Sequence, residues 1–275
     1  RLRSAAGPHP TDIVLARTAR PSLSPVLRRF EGPASLGRAF AYTGTCGRNA
    51  DDREVPMAGE VRYFEYGDEE TSHLSARDPR MAEVIRAVGH VRREVHPDLF
   101  AALANCIVGQ QISTKAQTTI WNRMVETFGE VAPETMAACS DEELQRVGIS
   151  FRKAGYIKGA AERVLSGDVD LEGLRDLSDD EVRRALSSLP GVGVWTAEML
   201  MTFSMQRPNI LSWGDLAIQR GLRMVYHHRR ITPALFAKYY RRYTPYATVA
   251  SLYLWEVAGG AVPGLRDWAP KSGRR

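Results

Sequence analysis

From about Arg80 onward, apolar residues recur at the three-and-four spacing of helices that bury one face, and brief Gly, Pro or Asp turns separate the periodic stretches. The clearest runs cover 115–126, 179–188, 194–203, 216–226 and 234–241. Their starts carry helix-opening chemistry. Ser140-Asp-Glu-Glu143 and Ser178-Asp-Asp-Glu181 read as capping boxes, Thr232-Pro233 opens a helix, and Pro133 suits the first turn of a short one. Such a pattern predicts an all-α domain of about ten helices. One alternating run, Val61-Arg-Tyr-Phe-Glu-Tyr66, is strand-like but short.

Residues 1–57 differ from the rest. They are rich in Pro, Gly, Ser, Ala and Arg and show neither helical nor strand periodicity, which reads as a disordered extension or as sequence upstream of a start at Met57. An Arg-rich transit peptide in residues 1–30 is the alternative. The foldable domain is placed at 58–268, followed by a basic tail at 269–275. With 44% apolar residues the chain can build a substantial core. Its net charge of +5 is concentrated at the front: residues 1–56 hold nine arginines against five carboxylates, leaving 28 basic and 27 acidic residues elsewhere. A nucleic-acid-binding field must therefore come from local clusters such as Arg220, Arg223, Arg229 and Arg230, or Lys238, Arg241 and Arg242. The same residues would equally make solvated helix faces. No secretory signal or long apolar run occurs, so a soluble cytoplasmic protein without membrane contact is expected.

Between two of the predicted helices lies Leu189-Pro-Gly-Val-Gly193, and Trp213-Gly-Asp215 follows the second. Pro190 blocks helix continuation, while Gly191 and Gly193 permit backbone conformations and close approaches that side chains forbid. The next helix starts at Val194 with free N–H groups and a positive dipole end, which suit a phosphate oxygen. A plain helix connector would look the same, whereas a dinucleotide fingerprint would need a third glycine where Thr196 stands and a strand before the turn. Asp215 precedes the run 216–226, where it fits either a helix N-cap or a carboxylate held ready for chemistry. The two roles are compatible.

Four ordered blocks carry a family resemblance: Phe100-Ala-Ala-Leu-Ala-Asn-Cys-Ile-Val-Gly-Gln-Gln-Ile-Ser113, the hairpin with Trp195, Trp213-Gly-Asp-Leu-Ala-Ile-Gln-Arg220, and Ser251-Leu-Tyr-Leu-Trp-Glu256. In these the chain resembles the helix-hairpin-helix DNA glycosylases of base-excision repair, and within them the 3-methyladenine DNA glycosylase II branch in a compact form. The resemblance implies two helical subdomains with a cleft between them, and double-stranded DNA carrying a damaged base as the partner of a monomer. Asp215 falls on the catalytic aspartate. It would stabilise the positive sugar formed as a purine, expected to be alkylated, leaves.

The resemblance also distributes the remaining roles. DNA-backbone contacts fall on Leu189, Gly191, Gly193, Val194 and Thr196, and on Gln110, Gln111 and Ser113, with Gln111 filling the gap left by a flipped nucleotide. Ser113 also fits a helix cap. Trp195, Met199, Trp255 and Glu256 fall on the base pocket, where indole faces suit a cationic base. Both tryptophans could instead be core residues, and Glu256 is either a surface residue or an acidic group beside the base. Members that also cut the strand use a lysine at the position of Trp195, and no lysine occurs between Lys158 and Lys238, which points to a glycosylase that leaves an abasic site. A non-catalytic DNA clamp and a glycosylase for oxidised or deaminated bases are the rival readings. Cys46, Cys106 and Cys139 are too scattered for an iron–sulfur cluster, and no cofactor is expected. The six histidines show no metal-ligand spacing; an alkali ion on the carbonyls of Leu189 and Val192 is left open.

Overall fold

The computed structural model describes residues 61–270, so the readings made for residues 1–57 and for the end of the basic tail lie outside the described residues. A two-residue strand β1 (Arg62–Tyr63) pairs antiparallel with β2 (Glu94–Val95). Between them lie α1 (Asp68–Arg77) and α2 (Pro79–Val88). Then follow α3 (Leu99–Gly109), α4 (Thr114–Phe128), α5 (Pro133–Ala138), α6 (Asp141–Arg146), α7 (Phe151–Leu165), α8 (Asp179–Ser187), α9 (Val194–Phe203), α10 (Leu216–Tyr226), α11 (Pro233–Tyr243) and α12 (Ala247–Gly259). The all-α expectation holds. Among the described residues no helix is long and apolar enough to cross a membrane.

Two details differ from the sequence pattern. Helices begin at Asp68 rather than near Arg80, because α1 is polar on nearly every face and buries only Leu74, which leaves no periodic signal. The alternating run 61–66 contributes only two strand residues, since its partner β2 is equally short.

The helices form two lobes, each with its own apolar core. The first is built from a continuous stretch, with buried residues from Leu99 to Ile210. Its centre is α3, where Leu99, Phe100, Leu103, Ile107 and Val108 are all buried. The second joins the segments on either side, from Phe64 to Val95 and from Leu211 to Val257. Its centre is α12, buried on every face from Ala247 to Leu254. The chain therefore crosses from lobe to lobe immediately before Asp215. Within the second lobe, Asp78 is almost fully buried yet paired: it caps α2 through Arg80 N and Met81 N, accepts from Tyr226 Oη at 2.8 Å, and meets Arg242 at 2.5 Å. Those bonds tie α2, α10 and α11 together and compensate the desolvated charge.

Helix α10 crosses α12 at Gly221. A β-carbon there would lie 2.4 Å from the Leu254 carbonyl oxygen, so only glycine allows the two backbones to meet. Gly221→Ala is expected to lose roughly 1–3 kcal/mol of stability in urea denaturation, the cost of an overpacked contact. A neutral result would contradict the close crossing.

Candidate active site

The hairpin is formed where α8 ends and α9 begins. The Leu189 carbonyl accepts the Val192 N–H at 3.2 Å, and Gly191 adopts a φ of +75°. A β-carbon on Gly191 would fall 2.2 Å from the Tyr156 ring, so this glycine serves both the turn and the packing of α7 beneath it. Two side chains grip the turn from the first lobe: Arg163 donates to Ser188 O at 2.7 Å and Gln110 Nε2 donates to Gly191 O at 2.8 Å. Gly193 plays a different part. It has an ordinary negative φ, caps α9 without a side chain, and faces open space where its β-carbon would be. The first-turn N–H groups of α9 are thereby left without a side-chain acceptor, at the positive end of the helix.

Of the hairpin side chains, Leu189 and Thr196 are buried and Val194 is exposed. The first two can face a ligand only through their backbones. The Leu189 carbonyl considered for an alkali ion is already engaged by the turn. Among the described residues, no cluster of His, Cys, Asp or Glu is arranged to hold a metal ion.

Asp215 stands where the lobes meet. It caps α10, with Oδ1 accepting the Ile218 N–H at 2.9 Å, so the N-cap reading of the sequence is correct. The same carboxylate accepts two indole N–H groups, from Trp195 on Oδ2 at 2.9 Å and from Trp255 on Oδ1 at 3.3 Å. Trp195 comes from α9 of the first lobe and Trp255 from α12 of the second. Asp215 is only 8% exposed, and among the described residues no lysine, arginine or histidine forms an ion pair with it. Its charge is solvated by three neutral donors and neutralised by none. A carboxylate has about four lone-pair positions. Three are occupied, and the remaining one is on Oδ2, the oxygen that has only Trp195 as partner.

The structure brings together Asp215, Trp195 and Trp255, and the Trp195 side chain lies 3.6 Å from where a β-carbon on Gly214 would sit. Trp195 is 38% exposed, which is high for a core tryptophan, while Trp255 is half-buried against Phe203 at 5.4 Å between ring centroids. Met199 is buried yet belongs to neither apolar core. Glu256 is half-buried on α12 beside Trp255, and its side chain makes no hydrogen bond or ion pair to the described residues.

The turn between α3 and α4 is the other candidate region. Gln111 is exposed and has a φ of +61°, a left-handed conformation that costs a non-glycine residue about 1–2 kcal/mol. Ser113 is the N-cap of α4, its hydroxyl accepting from Ala116 N at 3.3 Å, so that side chain serves the fold.

Some features were not read from the sequence. Glu198 is 7% exposed on α9 and pairs with Arg183 at 3.2 Å; burial, reinforced by the charge of Asp215, pushes its carboxyl above the usual range despite Ser212 and Arg183. A lone acid in the apolar run Val194–Phe203 was the available signal. Trp213, two residues before Asp215, is 40% exposed and packs edge-on against Phe236. The expected basic clusters are partly neutralised from within. Arg223 binds Asp267 with two bonds of 2.6 and 2.7 Å, Arg220 approaches the same carboxylate, and Arg242 is committed to Asp78.

Comparison with known proteins places the chain in a family. The family described as HhH-GPD superfamily base excision DNA repair protein matches residues 104–245. DNA-3-methyladenine glycosylase 1 of Schizosaccharomyces pombe is 30% identical over 198 residues, covering 68% of this chain and 85% of that protein. The crystal structure of a DNA-3-methyladenine glycosidase from Bacillus halodurans superposes with a TM-score of 0.68 and 36% identity, over 75% of this chain and 97% of the other. A 3-methyladenine DNA glycosylase of Schizosaccharomyces pombe in complex with abasic DNA gives 0.61 and 28%, over 70% and 97% of the two chains.

Asp215→Asn separates the cap from the charge. Asparagine keeps an oxygen for the Ile218 N–H, but its amide opposes the Trp195 N–H donor to donor. The variant is expected to fold with a loss of about 1.5–2 kcal/mol in urea denaturation, the low end of what one hydrogen bond to a charged acceptor contributes, because burying a neutral amide costs less than burying the carboxylate. A loss of about 3–5 kcal/mol, as on breaking a buried ion pair, would contradict the absence of a cationic partner.

Proposed function

The chain belongs to the HhH-GPD superfamily of base excision DNA repair proteins, and from that premise we propose that it is a monofunctional DNA glycosylase that removes a damaged, alkylated purine from double-stranded DNA. The observation that carries the reading is Asp215: a buried carboxylate, between two indoles, with no cation among the described residues to neutralise it.

In this reading the damaged nucleotide turns out of the duplex and its base enters beside Trp195, Trp255 and Met199. Electron-rich indole faces favour a base that carries positive charge. The C1′–N bond then breaks, its electron pair leaving with the base, and positive charge spreads over C1′ and the ring oxygen of the sugar. The fixed charge of Asp215 stabilises that cation in a site with little water, and the free position on Oδ2 faces either the sugar or the attacking water. Water oxygen bonds to C1′ and passes a proton to the Asp215 carboxylate, which releases it to solvent, leaving an abasic site and a free base. No amine stands at the hairpin position taken by Trp195, so no Schiff base forms and the strand is not cut.

DNA is held by the bend between α8 and α9. The uncapped N–H groups after Gly193, and the open space over that glycine, support contact with a backbone phosphate. Arg229, Arg230, Lys238 and Arg241 supply the remaining positive field. The protein acts as a monomer in the cytoplasm, at the nucleoid. A clamp that only bound DNA would need Asp215 for no more than the cap of α10, which an uncharged serine or asparagine fills equally well.

A panel of duplexes carrying methylated, deaminated or ethenoadenine bases, treated with alkali after incubation to reveal abasic sites, tests the proposal. Wild-type protein is expected to release at least one alkylated purine, and Asp215→Asn to do so at least about a hundredfold more slowly. Equal rates would remove Asp215 from its role. Release of no base from any duplex would leave only the binding module.

A further inference from the structure

The turn between α3 and α4 is held from below by a lysine that neither the family resemblance nor the proposed chemistry uses. Lys153, in the first turn of α7, donates from Nζ to Val108 O at 2.7 Å and to Gln110 O at 2.6 Å. These are carbonyls of the last turn of α3 and of the residue that caps it, groups that a helix end leaves without partners. An ammonium is well suited to that place, being a charge-assisted donor at the negative end of the helix. The amine is half-buried and, among the described residues, makes no ion pair with a carboxylate; burial and the neighbouring Arg152 hold its pKa below the usual lysine value. Its charge is spent on the turn alone.

The next residue after these two carbonyls is Gln111, exposed and left-handed, and Gln110 is at the same time tied by its side chain to Gly191 of the hairpin. The turn is thus fixed on two sides while its tip projects. A depression of about 220 Å³, lined by Val108, Gln110, Gln111, Ile112, Ile149 and Lys153, lies beside the turn, and across the tip itself the backbone makes one long bond, from Ile112 N–H to Gly109 O at 3.4 Å.

We propose that Lys153 is a positioning residue for the duplex-inserting tip: by binding the carbonyls of Val108 and Gln110 it holds Gln111 in the strained conformation that lets its side chain replace a flipped nucleotide. The assignment rests on the glycosylase reading above. It gives Lys153 no contact with the base, the sugar or the phosphates. Loss of the ammonium lets the tip relax, and the penalty falls on the step in which a paired base is exchanged for Gln111.

The test compares ethenoadenine placed opposite thymine with the same lesion opposite an abasic-site analogue, where no partner base is orphaned and flipping costs less. Lys153→Met is expected to lower kcat/KM on the first duplex about tenfold and on the second by less than about twofold. Gln111→Ala should behave the same way, and the double variant should be no worse than Gln111→Ala, because both residues act through one tip. The lesion without a partner base also reports whether the variant has folded. Equal losses on both duplexes, or additive losses in the double variant, would overturn the proposal. So would a salt-dependence slope reduced by about one ion, the mark of a direct phosphate contact. Where wild-type protein releases another lesion of the panel above but not ethenoadenine, that lesion takes its place in both duplexes; wild type that releases nothing from any duplex removes the glycosylase reading and leaves the tip no nucleotide to replace, whereas active wild type with unselective variants removes only the role of Lys153.

Discussion

The hydrogen bond from the Trp195 indole to Asp215 crosses the junction of two lobes, and the site depends on it. Taking a carboxylate out of water costs several kcal/mol, and proteins usually offset that with a nearby lysine or arginine. Here the offset comes from neutral N–H groups: the Ile218 amide, the Trp255 indole and the Trp195 indole. Hydrogen bonds to a charged acceptor contribute about 1.5–3 kcal/mol each, so three are of the right size to hold the group. What they do not do is cancel its charge. A cation formed beside Asp215 meets an undiminished negative field, which a salt bridge would have weakened.

The topology explains how three donors from distant parts of the chain converge. One lobe is a continuous insertion into the other, and the chain returns to the second lobe just ahead of Asp215. The start of α10 therefore lies against α9, which brings Trp195, and is crossed by α12, which brings Trp255. Gly221 is the place where a side chain is excluded so that α10 and α12 can meet. The exposed N–H groups after Gly193 begin the helix that carries Trp195. In the proposed reading, phosphate grip and charge stabilisation are therefore served by one short segment.

Much of this was legible in the sequence, for reasons that differ by element. Capping boxes at Ser140 and Ser178 form as written, because their chemistry is local. Asp215, Trp195 and Trp255 were identified as candidates by the positions they take in the family resemblance, and the structure places them together. Their hydrogen bonds were not foreseen, since an indole read as a stacking surface gives no hint that its N–H points at a carboxylate. Helix α1 and strand β2 escaped because polar or very short elements carry no periodicity. The arginines read as a DNA-facing field proved partly internal, as Arg223 and Arg242 found Asp267 and Asp78 across long sequence separations. Lys153 is in the same class: its two carbonyl partners lie more than forty residues earlier in the chain.

The most direct measurement of the central claim uses two abasic-site analogues in otherwise identical duplexes, one a neutral tetrahydrofuran and one a pyrrolidine whose ring nitrogen is protonated. If an unneutralised Asp215 stabilises a positive sugar, wild-type protein binds the cationic analogue at least about tenfold more tightly than the neutral one, and Asp215→Asn binds both alike. A preference for the cation that persists unchanged in Asp215→Asn would show that the charge-stabilising group lies elsewhere.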